Sequence, residues 1–198
     1  MRFQSARIVL RNENPRQATI DLLSGRLGPT EARRHSEPES SLTTVEIVWR
    51  INDDVELHYL EDANSKAGFT VTTGEDREGV AEWASMASAY IGAWTDKELL
   101  DGVTGATDSG VRSHLLLLAG LGSPGDFDDR FFSVISDEFD NADPLVRMGA
   151  VWASSYSAWK EYLPKLRSLA AHDPEPDIRN VAQSFVDIID VRHVRPAK

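Results

Sequence analysis

Hydrophobic positions recur along this chain with two different periods. Within residues 2–11 they alternate, Ile8 and Leu10 on one side and Val9 on the other, which predicts a strand. Asn14-Pro15 is a helix start, because Pro at the first helical position loses no hydrogen bond. Ala18, Leu22 and Leu23 line one side of the segment from Pro15 to about Leu27, and Gly28-Pro29 ends it. Thr43–Ile51 is rich in β-branched and aromatic residues, and Val55, Leu57 and Tyr59 alternate with Glu56, His58 and Leu60. Turns are expected at Asn52–Asp54 and Glu61–Gly68, followed by a short strand at Phe69–Thr73. From Asp76 to Trp94 the period becomes helical, with Val80, Trp83, Ala84, Ala87 and Ile91 as the buried stripe. The order β-α-β-β-β-α predicts a small antiparallel sheet with helices on one face. Residues 29–41 hold Pro29, Pro38 and many Glu, Arg and Ser, and are expected to form a loop.

Beyond residue 93 every apolar period is helical. Breaks at Gly102–Asp108, Gly122–Asp126, Asn141–Pro144, Ser154–Ser157 and His172–Pro176 leave segments of helical length between them. The expected fold class is therefore α+β. A small α/β domain spans residues 1–93 and an all-α domain spans residues 94–198.

The helical half contains an internal repeat. Asp108-Ser109-Gly110-Val111-Arg112, Asp143-Pro144-Leu145-Val146-Arg147 and Glu175-Pro176-Asp177-Ile178-Arg179 align as helix starts. The acidic residue favours a helix N-terminus by capping orphan amides and through the dipole. The Val or Ile begins an apolar stripe toward the partner helix, and the Arg beside it points toward the neighbouring repeat. The pattern resembles the HEAT-repeat family over about residues 95–191. The resemblance implies three helical hairpins, with first helices near 95–105, 127–140 and 159–171 and second helices near 109–121, 144–157 and 176–191. It also implies an Asp six residues before each repeat Arg, building a ladder between neighbouring repeats. Asp173 fits that position, Asn141 nearly fits and Ala106 departs from it. A solenoid of this kind implies a binding scaffold.

Composition narrows the chemistry. The chain of 198 residues has no Cys, which removes disulfides, thiol nucleophiles and thiolate metal sites. Its net charge of −11 disfavours nucleic acid and anionic lipid, both of which are bound by neutralising phosphate. The longest apolar stretch, Leu115–Leu121, is far short of the roughly 20 residues that span a bilayer. Arg11, Asn12 and Glu13 interrupt any signal-peptide block near the start, so a cytoplasmic protein is expected.

Several constellations bear on chemistry. His58 with Glu56, and Asp190 with His193, offer two donors each where a metal needs three or four, so no metal site is expected. Asp126-Phe127-Asp128-Asp129-Arg130 begins like a calcium loop but places Phe131 where Gly is required. There is no Gly-x-Ser-x-Gly elbow and no phosphate loop, so neither a catalytic set nor a cofactor is expected. Trp152, Tyr156, Trp159 and Tyr162 bracket the turn between the second and third repeats. They either fill the inter-repeat core or present an aromatic hot spot. His114, Gly149 and Val181 share one repeat position without common chemistry, which leaves His114 alone to face a partner. The partner-binding candidates are thus His114, Trp152, Tyr156 and Trp159. Val111, Arg112, Asn141, Asp143, Val146, Arg147, Asp173, Ile178 and Arg179 carry the repeat.

The expected function is a non-enzymatic protein-binding module for a basic protein partner, since both halves of the chain are acidic. A concrete form is an immunity protein or antitoxin that neutralises a nuclease-type toxin. An enzyme resembling alkylpurine DNA glycosylases or bilin lyases is the alternative, and the charge opposes the first. A structural subunit pairing with itself along a sheet edge is the third expectation.

Overall fold

The alternation of Val55, Leu57 and Tyr59 with polar neighbours puts one face of a strand against apolar side chains, and the sheet is built around that strand. The structure, a computed structural model, describes residues 1–11, 14–27, 33–35 and 43–194. It divides into two units, Met1–Thr95 and Asp96–Lys198.

The first unit contains β1 (Phe3–Gln4), β2 (Ile8–Val9), α1 (Pro15–Leu27), β3 (Arg33–His35), β4 (Thr43–Arg50), β5 (Val55–Asp62), β6 (Gly68–Gly74) and α2 (Arg77–Ile91). The strands form one antiparallel sheet in the order β1-β6-β5-β4-β3, and β2 also pairs with β6. The Asn52 carboxamide closes the β4–β5 turn by accepting from the amides of Asp54 and Val55, each at 2.8 Å. The Asp62 carboxylate closes the next turn on the Ser65 amide at 2.6 Å. Both turn chemistries lie in the segments where breaks are expected.

Two expectations are corrected here. Residues 2–11 form two short strands, not one. The Ser5 hydroxyl accepts from the Thr72 amide at 3.0 Å, taking the place of a main-chain carbonyl and breaking the ladder between β1 and β2. Arg33–His35, read as loop, pairs with Glu46–Val48 as β3. Three polar residues within a stretch of Pro, Glu and Ser give no alternation, so only the neighbouring strand specifies them. The remainder of that expected loop lies outside the described residues.

The core of this unit joins Leu10, Leu23, Ile47, Trp49, Leu57, Tyr59, Ala87 and Ile91. Both helices therefore cover one face of the sheet. Asp76 caps α2 by accepting from the Glu78 amide at 3.0 Å, and Gly92, with φ of 79°, ends it in the left-handed region. Val80, Ala87 and Ile91 of the expected stripe are buried, whereas Trp83 and Ala84 are half-buried.

The second unit is helical. It contains α3 (Asp96–Gly105), α4 (Ser109–Gly122), α5 (Asp129–Asp137), α6 (Pro144–Ser157), α7 (Leu163–His172) and α8 (Pro176–Val194). A 3₁₀ turn, Glu138–Asp140, prolongs α5, and another, Lys160–Tyr162, precedes α7. The break expected at Ser154–Ser157 falls one residue later: α6 runs through Ser157 and ends at Ala158, with φ of 52°. Asp108 and Asp143 cap the second helices, accepting from Val111 and Leu145 amides at 2.9 Å. The helices succeed one another in pairs, and α4 lies along α6. Among the described residues, no helix is long and apolar enough to cross a membrane.

Contacts at Gly120 and Gly149 show which sides of α4 and α6 meet. Gly149 sits over Ser113, and Gly120 over Ala153. Val146 lies on the Gly149 side of α6 and is buried. Val111 holds the equivalent place in α4 and so points away from α6. Since α4 is the first second-helix of this unit, nothing in the repeat precedes it, and Val111 is 53% exposed. This corrects the expectation of a buried residue there; Ile178, by contrast, is buried.

Candidate functional site

The repeat arginines use the same geometry three times. Each donates to the main-chain carbonyl six residues before it: Arg112 to Ala106, Arg147 to Asn141 and Arg179 to Asp173. The guanidinium thus seals the turn between the first and second helix, where orphan carbonyls need donors. Two of the three also reach the following repeat. Arg147 grips Asp173 with two bonds, Nε to Oδ2 at 2.8 Å and Nη2 to Oδ1 at 3.0 Å. Arg112 reaches Glu138 at 3.2 Å. Asn141 does not serve as the carboxylate of the ladder. Its side-chain amide instead donates to Glu138 at 2.6 Å and holds that residue for Arg112. Glu138 was missed in the sequence. The available signal was an acidic residue one helical turn before the neutral Asn141.

The Asp173 side chain is only 1% exposed. Burial opposes its charge, but the Arg147 guanidinium and the Glu175 amide outweigh burial and hold its carboxyl below the ordinary carboxylate range. A carboxyl depressed on folding adds stability that is complete above its unfolded value, about pH 4, and is lost as pH falls through the folded value. The helical unit should therefore lose stability progressively below about pH 4. Urea midpoints followed by circular dichroism across that range test this. An acid slope unchanged by Asp173→Asn would remove Asp173 as its source.

The aromatic candidates separate on burial. Trp159 is 5% exposed, stacks on Tyr162 with ring centroids 5.7 Å apart, and meets Phe127 edge-on at 5.4 Å. Its indole Nε1 donates to the Gly125 carbonyl at 3.2 Å. It is core, and its place among partner-binding candidates is corrected: the ring fills the joint between α5 and α7. Trp152 is half-buried and packs edge-on against Phe185 at 5.1 Å, and Tyr156 is half-buried. His114 is exposed on α4.

The ladder aligns the three turns between first and second helices side by side. The Ser109 hydroxyl, close to Asp143, adds a second link and with the Leu145 amide holds that carboxyl below its ordinary range. Asp108, Asp137, Asp140, Glu175 and Asp177 stand exposed along this edge. Lys165 offsets Asp140 at 2.8 Å. Arginines that would otherwise oppose this field are turned inward by the ladder. The result is an acidic edge on a helical unit.

The first unit holds a second arrangement, on the sheet face turned away from α1 and α2. Val48 pairs with His58, and His58 with Val71. Glu46 and Thr73 are therefore the diagonal neighbours of His58 on the same face. Glu46 Oε1 lies 2.9 Å from His58 Nδ1, and Thr73 Oγ1 lies 3.0 Å from Nε2. Arg2 Nη2 donates to Thr73 Oγ1 at 3.0 Å and pairs with Glu56. This corrects the association of His58 with Glu56 read along the strand: its carboxylate comes from the adjacent strand. A hollow of about 270 Å³ opens here, lined by Gln4, Arg7, Glu46, His58, Leu60, Phe69, Val71 and Thr73. Sequence spacing alone held no signal for this row, because its members come from three strands.

Among the described residues there is no group of three or more His, Asp or Glu able to hold a metal ion. A scan of protein-family models and searches of curated proteins and of solved structures each find no match to this chain.

Proposed function

We propose that the helical unit is a HEAT-repeat module that binds a basic protein and carries out no chemistry itself. The observation that supports this reading is the repeated arginine geometry. It stacks three helix-pair turns into one edge and leaves carboxylates outward along it. Exposed Asp108, Asp137, Glu175 and Asp177 present a negative field to an approaching molecule, and such a field raises association rates with cationic surfaces at low salt. The net charge of −11 acts in the same direction. An immunity protein or antitoxin masking a basic nuclease is a finer form of the same reading.

The test uses the full chain immobilised and exposed to lysate of its native host, with Asp108→Lys/Asp137→Lys/Asp177→Lys in parallel. Basic proteins should be retained by the native chain, released by added salt, and absent from the triple variant. A control with equal charge change, Asp53→Lys/Asp54→Lys/Glu75→Lys, should retain them, because those residues lie in the other unit. Retention of the same proteins by all three would count against the edge, and retention of acidic proteins alone against the basic partner.

A further inference from the structure

The geometry points to an acyl-hydrolase site on the open sheet face, with Thr73 as nucleophile, His58 as general base and Glu46 as the residue that positions the base. This site belongs to the N-terminal unit and does not depend on the binding role of the helical unit.

With His58 neutral, the form a general base must take, hydrogen-bond chemistry leaves one assignment of protons. A carboxylate only accepts, so His58 Nδ1 carries the hydrogen shared with Glu46, and Nε2 is left with its lone pair. A guanidinium only donates, so Arg2 occupies a lone pair of Thr73 Oγ1. The Thr73 hydrogen is then directed to His58 Nε2, 3.0 Å away. Carboxylate, imidazole and hydroxyl stand in the order that activates an alcohol nucleophile, an order defined by geometry and not by position in the chain. Arg2, held in turn by Glu56, places a positive charge beside the oxygen that must lose its proton.

A cross-strand polar ladder would satisfy the same bonds. The hollow distinguishes the two readings. His58, Glu46 and Thr73 all line it, and its apolar surface comes from Leu60, Phe69 and Val71. Its volume of about 270 Å³ suits a short acyl chain and is too small for a folded segment. Gln4 adds a donor to the lining. Apolar and polar lining together match the ester of a short-chain carboxylic acid, its acyl chain against Leu60, Phe69 and Val71 and its carbonyl oxygen toward Gln4.

The reaction balances with water as co-reactant. Thr73 Oγ adds to the ester carbonyl carbon while its proton passes to His58 Nε2, and the carbonyl electron pair moves onto oxygen. The bond to the alcohol oxygen then breaks, and the departing alcohol takes the proton from His58. This leaves an acyl group on Thr73. Water adds to that acyl carbonyl, giving its proton to His58, and Thr73 leaves with the proton restored. Ester and water become acid and alcohol.

The test treats the full chain with an alkyl fluorophosphonate, which phosphonylates activated hydroxyls with loss of fluoride, and maps the adduct by peptide mass spectrometry. Hydrolysis of 4-nitrophenyl butyrate is followed alongside. The adduct is expected on residue 73 in the native chain, and faster in Thr73→Ser, which lacks the methyl group. Thr73→Val should abolish both signals with an unchanged circular dichroism spectrum. His58→Gln should slow both about 100-fold or more. Glu46→Gln should slow both, with part of the rate recovered in Glu46→Asp, and nitrogen NMR should show the His58 ring losing its Nδ1–H form in Glu46→Gln. No adduct on residue 73 in either the native chain or Thr73→Ser overturns the proposal. So does turnover that survives His58→Gln.

Discussion

Replacing Arg147 by alanine should destabilise the helical unit by about 3–5 kcal/mol. The guanidinium makes two bonds to Asp173 and further bonds to the carbonyls of Asn141 and Ala142, at 2.9 and 3.1 Å. Its removal leaves a carboxylate nearly sealed from water and two carbonyls without their donor. The loss is much larger than for the exposed pair Lys97–Asp101, whose charges stay solvated whether or not they are paired. Urea unfolding of the full chain, followed by helical circular dichroism at neutral pH, measures the difference. A double variant, Arg147→Met/Asp173→Leu, should recover the part of the loss that comes from the stranded carboxylate, because it removes both charges together, while the Asn141 and Ala142 carbonyls still lack their donor. A single variant that loses less than about 1 kcal/mol, the figure for a surface pair, would mean that the ladder is ornamental.

Gly120→Ala is the second large effect, and here two local arguments oppose one another. Alanine is the better helix former by about 1 kcal/mol in a helix interior, which favours the substitution, less strongly in the last turn of α4 where Gly120 lies. A Cβ at this position, however, would stand 2.5 Å from the carbonyl oxygen of Ala153 and 2.7 Å from its Cα. Those are main-chain atoms of α6 and cannot rotate aside. The helices must separate along their length, and the expected net loss is about 1–3 kcal/mol or more. Gly105→Ala is the control, because a Cβ there meets no atom within 4 Å, and it should be neutral or slightly stabilising. Thermal unfolding of the two variants side by side decides the matter. Equal midpoints would show that α4 and α6 tolerate a wider spacing.

The two variants illustrate how legible the molecule was along the chain. Gly120 lies among apolar neighbours and Gly105 in a segment expected to break, but nothing in the sequence says that a Cβ would clash at the first and not at the second. Only the approach of α6 distinguishes them. Arg147 and Asp173 were legible as a pair through the repeat, but Glu138 was not, because it replaces an expected carboxylate from a different position. Trp159 and His114 were equal candidates for an exposed contact. The aromatic stack of Phe127, Trp159 and Tyr162 buried the first, and the open side of the first repeat exposed the second.

What the amino-acid order determined by itself is everything encoded within a turn or two of chain. Asp76, Asp108 and Asp143 started helices where an acidic side chain could reach the next free amides, and Asn52 and Asp62 made the turns between strands. Alternation in β5 decided which of its faces met the helices. Tertiary structure alone decided which residues became neighbours across elements. Glu46, His58 and Thr73 are brought together by the register of three strands, and a shift of one residue in any pairing would send one of them to the opposite face. Capping and alternation act over a few ångströms of continuous chain. Register and helix spacing are set by the packing of whole faces, and so can be read only after the chain has folded.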